Sequence, residues 1–238
     1  MRIINTEEIT RNIKEMCIEA NHYLSADMNE ALKEAASEER SPLGRQILGQ
    51  LKDNLKIAAQ DMIPICQDTG MAVIFMEIGQ DVHVEGGILT DAVNEGVREG
   101  YQEGYLRKSV VGDPIIRENT RDNTPAVIHY NMVRGDKIKI TVAPKGFGSE
   151  NMSRIFMLKP ADGIEGVKDA VVLAVKDAGP NACPPMVVGV GIGGTFEKCA
   201  LMAKAALTRP VNERSEIPYV RDLEKELLDR INQSGIGP

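Results

Sequence analysis

Tryptophan is absent from this sequence, and aromatic residues make up only 4% of its 238 positions. A surface that stacks nucleobases needs several aromatic side chains, so the composition argues against such a surface. Clusters of basic residues are missing too, because the net charge is −7 and no run of five or more Lys or Arg occurs. We therefore expect no nucleic-acid partner and no attraction to an anionic membrane surface.

Long apolar stretches are also lacking. No segment approaches the roughly 18 apolar residues that a transmembrane helix needs, and the first residues contain no apolar region of a signal peptide. These absences predict a cytoplasmic protein with no membrane partner. The cysteines form no CxxC pair, and disulfides are uncommon in a reducing cytoplasm, so we expect no disulfide among Cys17, Cys66, Cys183 and Cys199.

The composition is that of a globular protein, with 42% hydrophobic and 26% charged residues. Apolar residues recur at helical spacing through most of the first 60 positions, which predicts an all-helical segment over residues 1–60. Strand-like apolar runs begin after residue 70 and predict an α/β part over residues 61–238. The predicted fold class is α+β or mixed α/β, in which a helical N-terminal segment precedes a mixed sheet with packed helices.

Strands are predicted at residues 71–78, 82–84 and 187–192, and the last of these should be buried. Two more strand-like runs, residues 126–133 and 137–143, flank a turn signal and therefore predict a β-hairpin. Further helices are predicted at residues 90–106, 164–178, 195–207 and 220–231.

Several residues that could carry chemistry are better explained by packing. Cys17 and Cys199 lie near apolar positions of predicted helices and are expected in the core, and His22 is expected to be structural. Three glycines weaken the helix predicted for residues 90–106, and their four-residue spacing predicts close packing against another element. These glycines are Gly96, Gly100 and Gly104.

The most informative stretch is the connection at residues 64–70, with the sequence PICQDTG. It places a thiol, an amide, a carboxylate and a hydroxyl in consecutive positions between a predicted helix and a predicted strand. Connections on a rigid scaffold are common places for binding and catalytic groups. Turn chemistry and a small buried cysteine would explain the same residues without a function, and the residues alone leave both interpretations open.

Three further features lie in loops. Residues 145–151 (KGFGSEN) join a predicted strand to a predicted helix, and their backbone N–H groups, with Lys145 beside them, could hold a carboxylate or a phosphate. A plain strand-to-helix turn with Ser149 as its cap would explain the same residues. Cys183 has three prolines nearby, which predicts a rigidly extended backbone. Residues 189–194 match the GxGxxG pattern, but no second strand with an acidic end follows at the required distance, so dinucleotide binding is disfavoured against another anion or cofactor.

Together these motifs resemble the class I fumarases and the L-tartrate dehydratases, which are iron–sulfur hydro-lyases. The resemblance covers nearly the whole chain, as the α subunit of the two-subunit form or the N-terminal half of the one-chain form. The motifs that carry it are residues 64–70, residues 145–151, residues 183–185 (CPP) and residues 193–198 (GGTFEK).

The resemblance implies a [4Fe-4S] cluster held by three cysteines, with one iron left open to a dicarboxylate substrate. Cys66 and Cys183 match two of the three ligand positions. Gln67 and Asp68 match positions near the open iron and would be catalytic. Arg107 and Gly148 match contacts to substrate carboxylates.

The resemblance also implies what lies outside this sequence. In the family a third cysteine and an active-site histidine follow the segment GIGP, with which this sequence ends at residues 235–238. A β subunit or β part supplies the remaining substrate contacts, so we expect a homo- or hetero-oligomer, and no activity without the β part and the third ligand. The resemblance favours the reversible hydration of fumarate to malate, and the alternatives are dehydration of L-tartrate and a cluster-free scaffold that has lost activity.

Overall fold

A computed structural model of the chain describes residues 1–237 and shows a mixed α/β protein in two compact units. Unit 1 comprises Met1–Leu24 and Asp53–Phe147, and unit 2 comprises Ser25–Lys52 and the residues from Gly148 onward. None of the helices within residues 1–237 is both long enough and apolar enough to span a membrane.

Strands and helices are numbered separately along the chain. The strands are β1 (Arg2–Asn5), β2 (Met71–Gly79), β3 (Val82–Glu85), β4 (Val127–Val133) and β5 (Ile138–Lys145). The α-helices are α1 (Thr6–His22), α2 (Ala26–Glu38), α3 (Pro42–Asp61), α4 (Leu89–Glu103), α5 (Phe147–Glu150), α6 (Gly163–Ala178), α7 (Phe196–Ala206) and α8 (Pro218–Asn232). Short 3-10 helices cover Pro160–Asp162 and Gly179–Ala182.

The prediction that residues 1–60 are all helical is wrong at the N-terminus. Residues Arg2–Asn5 form a strand that pairs in parallel with β3, so that Ile4 lies opposite Val84. The partner strand is about eighty residues away, and four residues are too short for a periodic pattern. Local sequence therefore contains no signal for this pairing.

The main sheet of unit 1 has the order β4-β2-β5, with β4 parallel and β5 antiparallel to β2. The predicted hairpin of β4 and β5 is therefore wrong, although both strands exist. The backbone N–H of Gly79 donates to the carbonyl of Lys137 at 2.8 Å, and that of Gln80 donates to the carbonyl of Val133 at 2.8 Å. The long apolar strand β2 thus lies between the two, which buries it more completely than an edge position would.

The core of unit 1 confirms the packing prediction for the helix glycines. A Cβ atom at Gly96 would lie 2.6 Å from the carbonyl of Thr10, and one at Gly100 would lie 2.9 Å from Cβ of Cys17. Only glycine lets α4 approach α1 this closely. Cys17 is fully buried, as predicted, and His22 is 2% exposed with Nδ1 2.7 Å from the carbonyl of Ile18, which fits a structural role.

In unit 2, helices α6 and α8 are joined by an ion-pair network. The Nζ atom of Lys168 lies 2.7 Å from Glu165 and 2.7 Å from Glu226, and Arg230 contacts both carboxylates at 3.1 and 2.5 Å. The side chain of Lys168 is only 10% exposed, so its charge is compensated within the network. The helices predicted at residues 164–178, 195–207 and 220–231 are confirmed to within two residues at each end.

The buried strand predicted at residues 187–192 is wrong on both counts. These residues form no strand, and Val188, Val190 and Ile192 are 41%, 37% and 55% exposed. A Cβ atom at Gly189 would lie 2.3 Å from the carbonyl of Ala203, and one at Gly191 would lie 2.1 Å from the carbonyl of Cys199. The alternating glycines therefore seat this backbone on α7, which leaves the valine and isoleucine side chains on the outer face.

The expectation that Cys199 lies in the core needs a correction. The side chain is half-buried, and its thiol lies 3.2 Å from the carbonyl of Phe196. The neighbouring Phe196 side chain does not cover it, because that ring is 63% exposed. The first turn of α7 is therefore only partly covered by unit 2.

Candidate active site

Residues 64–70 connect the end of α3 to the start of β2, as predicted. Two bonds to helices fix the beginning of this connection. The backbone N–H of Ile65 donates to the carbonyl of Asn21 at 2.8 Å, and the carbonyl of Ile65 accepts from Nδ2 of Asn54 at 2.9 Å. These hydrogen bonds therefore fix the backbone that immediately precedes Cys66.

Cys66 presents its thiol at the protein surface. The backbone N–H of Asp68 donates to its Sγ at 3.4 Å, and Oε1 of Gln67 lies 3.3 Å from the same sulfur. The Cys66 sulfur therefore accepts one hydrogen bond from the backbone and donates one to the Gln67 side chain, and together they fix its direction. Gln67 is also exposed, and the contact to Sγ places its side-chain amide beside the thiol.

The carboxylate of Asp68 joins the two connections that the sequence singled out. Its Oδ2 accepts from the backbone N–H of Phe147 at 3.0 Å, and a Cβ atom at Gly146 would lie 2.9 Å from the same oxygen. Glycine at position 146 therefore leaves room for the carboxylate. No hydrogen bond to Oδ1 occurs within residues 1–237, so this oxygen has its lone pairs available for a ligand.

The end of the same connection is held from within unit 1. Thr69 is 4% exposed, and its carbonyl accepts from the hydroxyl of Tyr101 at 2.9 Å. Gly70 has a φ of +65°, and a Cβ atom there would lie 2.1 Å from the carbonyl of Lys145. Both the left-handed backbone and the close approach to β5 require glycine at this position.

Arg107 lies next to this connection through its backbone. Its carbonyl accepts from Oγ1 of Thr69 at 3.1 Å, while its side chain is exposed. The guanidinium has no hydrogen bond and no ion pair within residues 1–237. Arg107 thus offers a planar, uncompensated cation on a segment that is bonded to the Cys66 connection, and such a cation suits a carboxylate.

Sequence analysis missed one buried member of this region, Asn123. Its side chain is fully buried and bonds both to Gly70 and to the backbone that follows Arg107. The surrounding segment, residues 112–125, is polar and rich in turn residues, which predicts either a surface loop or a lid, and asparagine is ordinary in both. The only usable signal would have been its tolerance of a left-handed backbone, which does not predict burial.

Gly148 and Cys183 lie in unit 2, and both are exposed. A Cβ atom at Gly148 would be no closer than 3.6 Å to the carbonyl of Asn181, so packing within unit 2 does not require glycine there. Cys183 has a φ of 58° and a ψ of 67°, which makes the predicted extended backbone wrong. It ends the 3-10 helix Gly179–Ala182, and the left-handed turn directs its backbone N–H back to the carbonyl of Pro180 at 3.1 Å.

The four thiols differ in their fitness as metal ligands. Burial raises the pKa of the Cys17 thiol to about 12, which opposes the thiolate form. Cys66 and Cys183 are free and exposed, whereas Cys199 is half-buried. Within residues 1–237 no group of three or more His, Cys, Asp or Glu side chains is assembled for a metal ion.

Comparisons with known proteins extend over nearly the whole chain. The model of a family described as fumarate hydratase (Fumerase) matches residues 10–238. A protein of Methanocaldococcus jannaschii with the provisional name L(+)-tartrate dehydratase subunit alpha is 40% identical over 236 residues, which cover 97% of this chain and 82% of that protein. The L(+)-tartrate dehydratase subunit alpha of Escherichia coli K12 is 32% identical over 218 residues, or 89% of this chain and 71% of that protein.

Proposed function

The chain belongs to the fumarate hydratase family, and on that premise we propose that it is the α component of a hydro-lyase that reversibly adds water to fumarate to give malate. The observation that carries this proposal is the connection at residues 64–70. It holds an exposed thiol and a carboxylate with one uncommitted oxygen on a backbone braced by hydrogen bonds.

The family resemblance implies a [4Fe-4S] cluster, and two thiols of this chain suit it. Cys66 and Cys183 would supply thiolates, because both are exposed and Sγ of Cys66 already accepts a backbone N–H. A third ligand is needed, because the resemblance implies three cysteines and Cys66 and Cys183 match two of them. When bound, such a cluster supplies a Lewis-acidic iron that polarises a substrate oxygen.

Arg107 and Gly148 would bind the dicarboxylate. The uncompensated guanidinium of Arg107 can donate two parallel hydrogen bonds to one carboxylate. At Gly148 the missing side chain leaves the backbone open to a close ligand, and no neighbour within unit 2 explains the glycine. Both residues are exposed, as contacts to a substrate must be.

Asp68 and Gln67 would handle the water and its proton. The N–H of Phe147 fixes Oδ2 of Asp68, so Oδ1 keeps a defined direction while it accepts or returns a proton. The Gln67 amide lies beside the Cys66 sulfur and can orient a water or hydroxyl by hydrogen bonding. Removal and return of water in either direction needs both functions.

A second candidate substrate is L-tartrate, because the relatives from M. jannaschii and E. coli carry the name of tartrate dehydratase. Dehydration of L-tartrate also eliminates water from a four-carbon dicarboxylate. Cys66, Asp68 and Arg107 would play the same parts in either reaction. The β subunit that these relatives' names imply could supply the groups that discriminate between the two substrates.

The test is to express the chain with its β partner, load it anaerobically with iron and sulfide, and measure turnover of fumarate and of L-tartrate. We expect conversion of at least one substrate, and the ratio of the two kcat/KM values identifies the physiological one. An assembled protein that binds iron yet converts neither would contradict the proposal. An assembled protein that binds no iron and converts neither would favour the cluster-free scaffold.

A further inference from the structure

Asn123 is a polar side chain of unit 1 that has no exposed surface. It lies in the segment between α4 and β4. A buried amide is unfavourable unless its hydrogen bonds are made. The partners of Asn123 therefore indicate what the side chain is for.

Its two amide atoms point to two different segments. Oδ1 accepts from the backbone N–H of Ser109 at 2.7 Å and from that of Val110 at 3.2 Å. Nδ2 donates to the carbonyl of Gly70 at 3.0 Å. One side chain thus bridges the end of the Cys66 connection and the backbone two residues after Arg107.

The residue type fits this bridge closely. A carboxamide presents an acceptor and a donor on one short planar group without depending on its protonation state. The backbone of Asn123 has a φ of +63°, which asparagine tolerates better than most residues.

The neighbouring Asp122 holds the segment in place. Its Oδ2 accepts from Nε of Arg98 on α4 at 3.1 Å, and its Oδ1 accepts from the backbone N–H of Thr124 at 3.0 Å. The backbone that carries Asn123 is therefore anchored beside the bridge.

We propose that Asn123 is a positioning residue that fixes the spacing between the Cys66–Asp68 connection and Arg107. This inference rests on the proposed function, which places iron and proton transfer on the first segment and substrate binding on the second. Thr69 provides a parallel link, from its Oγ1 to the carbonyl of Arg107 at 3.1 Å. When Asn123 is replaced, the Thr69 link still holds the two segments together, but the distance between them becomes less well defined.

Two variants remove the bridge. Asn123→Ala loses both the acceptor for Ser109 and Val110 and the donor to Gly70. Asn123→Gly also loses both links but tolerates the left-handed backbone, and it serves if Asn123→Ala does not fold. The matched control is Asn94→Ala, since Asn94 also bridges two backbone groups of unit 1, Ala126 at 2.8 Å and Thr90 at 2.9 Å, but touches neither segment.

The direct readout is the distance between spin labels on Cys66 and on Lys108→Cys, measured by pulsed electron paramagnetic resonance. The background chain carries Cys183→Ser and Cys199→Ala, and Cys17 is too buried to react. We expect one narrow distance distribution in this background and in Asn94→Ala. It should be broader or shifted in whichever Asn123 variant folds.

The assembled, iron-loaded enzyme gives the second readout. A positioning role predicts that kcat/KM falls by about 10- to 100-fold in the Asn123 variants, at unchanged iron content, because small misplacements of reacting groups slow catalysis strongly. Asn94→Ala should stay within about twofold even if its melting temperature falls equally.

An unchanged label distance in a folded Asn123 variant would overturn the inference, and so would equal broadening in Asn94→Ala. If the wild-type assembly converts neither substrate, the proposed function fails, and the distance measurement alone still decides whether Asn123 sets the spacing.

Discussion

The two units hold their proposed site residues in different ways. In unit 1 the Cys66 connection is braced by buried groups, among them Tyr101, Thr69 and Asn123, each less than 5% exposed. In unit 2 Gly148 lies in the four-residue helix α5 and Cys183 ends a 3-10 helix, and both residues are exposed. Unit 1 therefore presents its site residues on a backbone braced by buried side chains, whereas Gly148 and Cys183 lie at exposed, short helical turns.

Apolar residues show the same contrast. The core of unit 1 gathers side chains from both of its sheets and from α1 and α4, and Ile13, Ile74 and Val97 are fully buried. In unit 2 the apolar residues 187–192 are mostly exposed, and their backbone makes no hydrogen bond within residues 1–237. An apolar pattern thus predicts burial only where the partner surface is also present.

The largest effect is expected at Asp68, on the braced connection of unit 1. Asp68→Asn keeps an oxygen for the N–H of Phe147 but removes the base, so kcat should fall about 100-fold or more while KM changes less. Steady-state kinetics of the iron-loaded αβ enzyme measure both. Asp68→Ala is the control, since it also loses the bond to Phe147 and should lower stability as well. Near-normal kcat in Asp68→Asn would show that Asp68 is not the base and that its role is the structural hydrogen bond with Phe147.

Arg107 should affect binding more than turnover. Arg107→Lys keeps the charge but loses the planar fork, which should weaken substrate binding by roughly 1–3 kcal/mol and raise KM about 5- to 150-fold. Titration of substrate into the same enzyme gives KM. Arg117→Lys, at another exposed arginine of unit 1, should leave KM unchanged. Equal KM values for the two variants would show that Arg107 does not contact substrate.

Gly146 belongs to unit 1 and Gly148 to unit 2, so alanine substitutions at these two nearby positions compare how tightly each unit packs around its site residues. Gly146→Ala forces the Asp68 carboxylate to shift, because the new Cβ would lie 2.9 Å from it. We expect a loss of about 1–3 kcal/mol in the free energy of unfolding. Gly148→Ala has room, so its stability should change by about 0.5 kcal/mol or less, while KM rises because the methyl group obstructs the substrate.

Urea denaturation and substrate titration separate these two outcomes. A large stability loss in Gly148→Ala would mean that unit 2 itself requires this glycine. An unchanged KM at normal stability would remove Gly148 from the substrate contacts.

The smallest expected effect is the contribution of Asp122 to the stability of unit 1 at low pH. Partial burial opposes its charge, but hydrogen bonds from Thr124 and the ion pair with Arg98 prevail and lower its pKa to about 2. A lowered pKa stabilises the fold at pH values above the ordinary carboxylate range, and this contribution is lost as the pH falls from about 4 to about 2.

The contribution should be about 1–2 kcal/mol, because the side chain is 29% exposed and therefore partly screened. The measurement is the difference in unfolding free energy between the wild type and Asp122→Asn. It should be constant from about pH 5 to about pH 7 and shrink below about pH 4. A difference that does not depend on pH would contradict the lowered pKa.

The sequence predicted what depends on local pattern. Amphipathic spacing located the helices, and the four-residue glycine repeat correctly predicted the close contact of α4 with α1. The polar connection at residues 64–70 was found because four chemically useful side chains are adjacent in sequence. The structure adds that its carboxylate is held by Phe147, which is 79 residues away.

Most failures concern partners distant in sequence. The pairing of β1 with β3 and the insertion of β2 between β4 and β5 depend on long-range contacts that periodicity does not encode. The role of Asn123 could not be predicted for the same reason, because its side chain bonds to three backbone groups that are 13, 14 and 53 residues away. Cys183 was mispredicted for a local reason, because the 3-10 turn before it outweighed the preference of the neighbouring prolines.

The central claim is that Cys66 and Cys183 both supply thiolates to an iron–sulfur cluster. Iron content after anaerobic reconstitution of the αβ enzyme tests it most directly. Cys66→Ser and Cys183→Ser should each lose the iron, because a hard oxygen replaces a soft thiolate. Cys17→Ser and Cys199→Ala should keep it, with changes in stability only. Loss of iron in Cys199→Ala together with retention in Cys183→Ser would contradict the account.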